Sequence, residues 1–223
     1  FFYAALPHAC SFARIDNQHF DHIKTMNEVL NNKNDTPYPN QNFVSLTKKI
    51  VDLSDGKDDI IPLSTASGII VEREDNTLYG LTAAHWCAPI ISPDFAMFSQ
   101  FLGYSNLQEA NNSMLTTADF YGHEYYITIL DMDLENDVCI FSLESKFASE
   151  IKKIKLAKKM PDIGDVIYTS SAPLGISGPT VRLHFDGYFG GCLETMTECF
   201  YTIPGISGSS GSGVVNEKGE LVS

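Results

Sequence analysis

Basic residues are scarce in this sequence. Fifteen Lys and Arg stand against 28 Asp and Glu, a formal net charge of −13, whereas binding to nucleic acid or to an anionic membrane surface calls for clustered cations. Nucleic acid is therefore excluded as a partner. Long apolar runs are also missing: no stretch approaches the roughly 18 residues that a bilayer-spanning helix needs, so no membrane insertion is expected. Cysteine is present but odd in number, with Cys10, Cys87, Cys139, Cys192 and Cys199. At least one is unpaired within a monomer, which excludes a fully cross-linked scaffold and leaves the redox compartment open. What remains, 43% apolar and 19% charged residues over a chain of 223, is ordinary globular composition with room for one sizeable domain or two packed β units.

The most informative stretch lies near the C-terminus, Pro204-Gly-Ile-Ser-Gly-Ser-Ser-Gly-Ser-Gly-Val-Val-Asn216. Glycines supply no side chain to a core and lose more backbone entropy on folding than other residues, so they make a poor packed element. They suit a loop whose backbone must come close to a ligand. Around Ser210 they would expose a hydroxyl and let neighbouring N–H groups converge on an oxyanion; alone, they also fit a flexible Gly/Ser loop.

Two further stretches fit the same chemistry. Leu81-Thr-Ala-Ala-His-Trp-Cys87 places His85 behind two small alanines, and Asn136-Asp-Val-Cys-Ile-Phe-Ser-Leu143 places Asp137 at the head of an apolar strand. A serine, a histidine and a buried aspartate are the parts of a nucleophile, a general base and the group that fixes the base's tautomer. These stretches, in the order His, Asp, Ser, resemble the motifs of chymotrypsin-like (trypsin-like) serine proteases. The Leu81–His85 match is the most specific. The likeness runs from about Val44 to the last residue, and the course Asp162-Ile-Gly-Asp-Val, Ala172-Pro-Leu-Gly175 is closest in style to the high-temperature-requirement and glutamyl-endopeptidase branch.

The resemblance implies an all-β fold of two six-stranded antiparallel barrels over residues 43–223, with strands of the specificity pocket falling after Ser223. It implies a serine endopeptidase acting on polypeptide, with His85, Asp137 and Ser210 catalytic and the N–H groups of Gly208 and Ser210 forming the oxyanion hole. Pro204, Gly205, Ile206 and Ser207 would line the substrate pocket. No metal and no organic cofactor are called for. The competing serine, Ser207, sits in a similar Gly-x-Ser-Gly setting, but the apolar pair Val214-Val215 and Asn216 follow Ser210 at the family's spacing. Ser209 carries no charge where trypsin-like zymogens place an aspartate, so that amine-paired activation switch is not expected. The alternative reading is a catalytically silent protein of the same fold, serving as a binding or structural subunit.

Residues 1–42 lie outside the resemblance. Asp16 can cap an amphipathic helix with Phe20, Ile23, Met26, Val29 and Leu30 on one side, giving a short helical N-terminal extension. His19 and His22 on it are solvated in the simplest reading. The ends read as those of a shortened chain, in a secreted, periplasmic or virion-associated setting. The Lys146–Lys159 stretch, with Lys152, Lys153, Lys155 and Lys158, reads as a solvated connector; it or the N-terminal helix could also meet a partner chain. Asp131, Asp133 and Glu135 read as solvated loop charges. Cys139 reads as a small buried hydrophobe, Cys87 as lacking the bridge that animal trypsins make to the strand before their histidine, and Cys192 and Cys199 could face each other across a hairpin.

Overall fold

From Phe43 onward, alternating apolar and polar residues build strands, and in the computed structural model these form two antiparallel sheets. The structure describes residues 37–39, 42–52, 59–89, 107–109, 115–118, 124–146, 148–151, 153–176, 183–193 and 198–223. The N-terminal helix expected after Asp16, and with it Cys10, His19 and His22, lies outside the described residues.

The first sheet comprises β1 (Phe43–Asp52), β2 (Asp59–Glu74), β3 (Thr77–Ala83), β4 (Leu107–Glu109), β5 (Leu115–Ala118), β6 (Glu124–Tyr126), β7 (Thr128–Asp133) and β8 (Val138–Glu144). Its order is β6-β5-β1-β2-β3-β8-β7, with β4 on β1. The second holds β9 (Val166–Ser171), β10 (Leu183–Cys192), β11 (Cys199–Tyr201) and β12 (Val214–Asn216), in the order β11-β10-β9-β12. Helix among the described residues is confined to one turn, α1 (Ala84–Cys87), and two 3-10 turns. The all-β class and the two antiparallel sheets are as expected; among the described residues the sheets have eight and four strands rather than six each, and neither closes into a barrel. The first count rises because one edge of β1 carries two short strands, β5 beside Ser45–Lys48 and β4 beside Ile50–Asp52.

Strand β2 serves both halves of the fold. Successive side chains on a strand point to opposite faces. Ala66 and Ile70 face the larger core with Leu46, Leu78, Ile127, Phe141 and Leu143. The intervening Ile69 joins Val215 and Leu221 in a second cluster, packed by Val71 and Tyr168. Ser67 falls in the same register as Ile69 and so faces the second half too. The hairpin from β2 into β3 turns on Asp75-Asn76, where Asp75 takes φ 51°; short polar side chains tolerate that left-handed backbone. β3 then lies between β2 and β8, with Ala83 opposite Val138.

Cys139 is not a free buried hydrophobe. It is bonded to Cys87, 52 residues away in sequence, and both are buried in the larger core. The pairing follows from the sheet: Cys139 lies opposite Thr82 on β3, and the single turn of α1 brings Cys87 back over β8. The bridge to the strand preceding the histidine, expected to be missing, has this different partner in its place. Cys192 and Cys199 are opposed in the β10–β11 ladder and are also bonded.

The acidic run between β7 and β8 is a built turn. Asp133 accepts from the N–H groups of Glu135 and Asn136 at 3.0 and 3.1 Å, and from the Asn136 amide at 2.6 Å. Those hydrogen bonds, the Asn136 side chain foremost, hold its carboxyl below the ordinary Asp value. In the lysine-rich connector, Lys153 pairs with Glu72, and the backbone at Lys155 and Ala157 bonds to Leu221.

A cross-link gains with the length of the loop it closes: loop entropy gives about 4 kcal/mol for the Cys87–Cys139 loop and about 2.4 kcal/mol for the Cys192–Cys199 loop. Denaturant unfolding should show Cys87→Ala/Cys139→Ala as the more destabilised double variant; the reverse order would reject the argument. Asp133 has a lowered carboxyl, so its contribution is full above the unfolded value of about 3.9 and is lost as pH falls through the lower folded value. Asp133→Ala should therefore be less stable than wild type at pH 7, with the gap closing below about pH 4.

Candidate active site

The approach of the three sequence-predicted residues begins with backbone. Ala84 N–H donates to the Asp137 carbonyl at 3.1 Å, and His85 N–H donates to Asp137 Oδ1 at 2.8 Å. The turn before β8 is thereby fastened to the first residues of α1. Asp137 itself takes φ 54°, which turns the chain into β8. With both backbones fixed, the Asp137 oxygens lie 3.0 and 2.8 Å from His85 Nδ1. An ionised carboxylate can only accept, so Nδ1 carries the proton and Nε2 is left as an acceptor. Nε2 faces Ser210 Oγ at 3.1 Å. The Cys87–Cys139 bond joins the residues two positions beyond His85 and Asp137, so a covalent link runs beside the hydrogen-bonded pair.

The aspartate, read from the sequence as buried, is not. The side chains of His85 and Asp137 are 59% and 51% exposed, because the pair sits where α1 meets the tip of the β7–β8 turn, rather than beneath it. Ser210 is half-buried, and Ser207 is exposed with no hydrogen bond to His85 among the described residues.

The serine loop is held by its carbonyls. Ile206 C=O accepts from Ser209 N–H at 2.9 Å, Ser207 C=O from Leu174 N–H, Gly208 C=O from Ser67 Oγ at 2.8 Å, Ser209 C=O from Ser212 N–H at 3.1 Å, and Ser210 C=O from Ser67 N–H at 2.8 Å. Every carbonyl from Ile206 to Ser210 thus has a donor. Peptide groups are planar and, among the described residues, none is cis, so pinning a C=O directs the following N–H to the opposite side. In residues 205–213 the N–H groups of Ser209 and Ser212 have backbone acceptors, and those of Gly208 and Ser210 are among the ones with none among the described residues.

Two glycines are required by space as well as by conformation. Gly208 has φ 92°, and a Cβ there would lie 2.5 Å from the Ala172 carbonyl. Gly211 has φ 81°, and its Cβ would lie 2.4 Å from Ser67 O and 2.8 Å from Ala83 N. The serine loop therefore lies directly on the backbone leading to His85, and the small Ala83 and Ala84, both buried, leave room for it.

The proposed pocket residues do not gather in one place. Ser207 lines a cleft of about 490 Å³ with His85, Ser210, Gly208, Thr65, Trp86 and Lys48. Pro204 and Gly205 line another of about 360 Å³ with Thr169, Ser171, Tyr201 and Ser209, and Ile206 is exposed. Sequence reasoning missed Ser67 and Leu174 on the serine loop, and Lys48, which is buried and donates to Ala88 C=O at 2.7 Å. A polar residue within the apolar run of β2 was the only available signal for Ser67; Leu174 acts through its backbone and left none. No cluster of three or more His, Cys, Asp or Glu side chains placed to hold a metal occurs among the described residues.

No family model matches the sequence, and no curated protein matches it. The fold, by contrast, is similar to that in the crystal structure of the serine endoprotease from Yersinia pestis, with a TM-score of 0.56 and 17% identity. The match covers 82% of this chain and 52% of that one, so this chain spans about half the length of that structure. At such identity the likeness carries the fold alone, and it gives this chain an all-β, trypsin-like protease fold.

Proposed function

We propose that the protein is a serine endopeptidase that hydrolyses polypeptide through an acyl-enzyme. The observation that carries the reading is the run of hydrogen bonds from Asp137 through His85 to Ser210 Oγ, beside the Gly208 and Ser210 amides, two of several in that loop with no acceptor among the described residues. On this reading Ser210 Oγ attacks the substrate carbonyl while His85 Nε2 takes the hydroxyl proton. Asp137 holds the Nδ1–H tautomer and stabilises the imidazolium that forms. The developing oxyanion is met by the N–H groups of Gly208 and Ser210, each such donor typically worth about 3 kcal/mol in the transition state. His85 then protonates the leaving amine, and water repeats the sequence to free the acid. The chemistry needs proton transfer and fixed dipoles, both of which these residues supply. Ser207, in the cleft beside the nucleophile, acts as a pocket hydroxyl.

The test is active-site labelling. A fluorophosphonate should modify the wild-type protein at Ser210, as mapped by peptide mass spectrometry. Ser210→Ala and His85→Ala should each lower peptide hydrolysis by about 10⁴-fold or more with the far-ultraviolet spectrum unchanged. Ser207→Ala should still be labelled at Ser210, with a shifted substrate preference. Labelling at Ser207, together with an active Ser210→Ala, would move the nucleophile by three residues and reject the assignment.

A further inference from the structure

Ser67 is fully buried in β2, with its side chain turned away from the larger core, and none of the chemistry above uses it. A buried hydroxyl needs partners, since leaving it unmatched costs about 1–3 kcal/mol. Both partners of the hydroxyl belong to the second half of the fold. Its Oγ donates to Gly208 C=O at 2.8 Å and accepts from Ala172 N–H at 2.9 Å, while its backbone N–H donates to Ser210 C=O at 2.8 Å. Its own carbonyl accepts from Thr82 Oγ1 at 2.7 Å, so Ser67 is itself fixed from β3.

The consequence falls on Gly208. Glycine is required there by the closeness of Ala172, but glycine alone leaves both adjoining peptide planes free to rotate. The plane after Gly208 is stopped by Ser67 Oγ. The plane before it is stopped by Leu174 N–H on Ser207 C=O, and Leu174 sits at φ 56° in the 3-10 turn Pro173–Gly175. That turn is anchored to the same hydroxyl through Ala172 N–H. One side chain therefore bears directly on the plane after Gly208 and, through Ala172 and the 173–175 turn, on the plane before it, which carries the Gly208 N–H.

We propose that the Ser67 hydroxyl is a positioning residue that holds the Gly208 N–H on the side where the oxyanion forms. This rests on the endopeptidase reading for its catalytic consequence, though the restraint on the loop does not. An amide that is misdirected only part of the time weakens transition-state binding and leaves the substrate's ground-state contacts in place.

The experiment is Ser67→Ala in the full chain, with Ser67→Cys as a variant of nearly equal volume that keeps a weak donor. Ser67→Ala should lower kcat by roughly 10–100-fold, less than outright loss of an oxyanion donor, with KM within about twofold. Affinity for a peptidyl trifluoromethyl ketone, which forms a tetrahedral oxyanion, should fall in proportion to kcat. The low-field Nδ1 proton signal of His85 should be unchanged, separating a lost oxyanion site from a disturbed His–Asp pair. Ser67→Cys should be intermediate, and it carries the test if Ser67→Ala fails to fold. Amide exchange over residues 204–213, followed by mass spectrometry, should quicken in the variant whether or not the protein is a protease. A raised KM at wild-type kcat, or unchanged exchange, would overturn the proposal. Wild-type protein that neither labels nor hydrolyses peptides would sink the endopeptidase reading instead, and the exchange measurement would still decide the role of Ser67.

Discussion

The hydrogen bonds that Ser67 makes across the seam between the two sheets are the constraint on which the site depends. His85 and Asp137 come from the first sheet, at the ends of β3 and of the β7–β8 turn, whereas Ser210 precedes β12 of the second. Nothing local to either sheet fixes the distance between base and nucleophile. It is set where Ser67 N–H meets Ser210 C=O and where Gly211 lies against Ser67 and Ala83, with Ile69, Val215 and Leu221 packed alongside. Apart from Ala83 on β3 and Leu221 beyond β12, these groups lie on β2 or on the loop and strand that it faces. The period-two alternation of β2 is thus what lets one strand close a core on one side and seat the serine loop on the other.

Within the first sheet the same problem is solved differently. His85 and Asp137 are both more than half exposed, so water competes for their hydrogen bonds and burial cannot be what keeps them together. Backbone and covalent restraints do that work. Ala84 and His85 donate to Asp137 from the main chain, Asp133 closes the turn that presents Asp137, and the disulfide two residues further on joins the two segments in the core.

How much of this was legible in the sequence depends on whether side chains or backbone carry the information. The apolar strand headed by Asp137 and the candidate residues were readable, because alternation and short side-chain motifs are local. Val214-Val215 gave the register that separates Ser210 from Ser207, since a strand start is also a local signal. The Cys87–Cys139 pairing was not readable. It depends on β3 and β8 being neighbours with Thr82 opposite Cys139, and a cysteine alternating into an apolar strand looks the same whether free or bonded. The carbonyl partners of the 206–210 loop left no trace, as any residue presents the same C=O. The strand counts were not readable for a related reason: they depend on which short segments share an edge of β1, and composition does not encode that.

The exposure of the His85–Asp137 pair also bears on how such a site would work. In water-like surroundings a hydrogen bond to a carboxylate contributes little; when the medium becomes less polar the same bond strengthens. The cleft of about 490 Å³ beside His85 and Ser210 is where a polypeptide would displace that water on the proposed function. The Gly208 and Ser210 amides would gain in the same way, because a fixed dipole stabilises an oxyanion most when no mobile water competes with it. An open triad held rigid by backbone bonds and a disulfide would then be weakly polarised when empty and strongly polarised when filled. Rigidity of the serine loop becomes the decisive term, since desolvation strengthens only dipoles that already point at the reacting carbonyl.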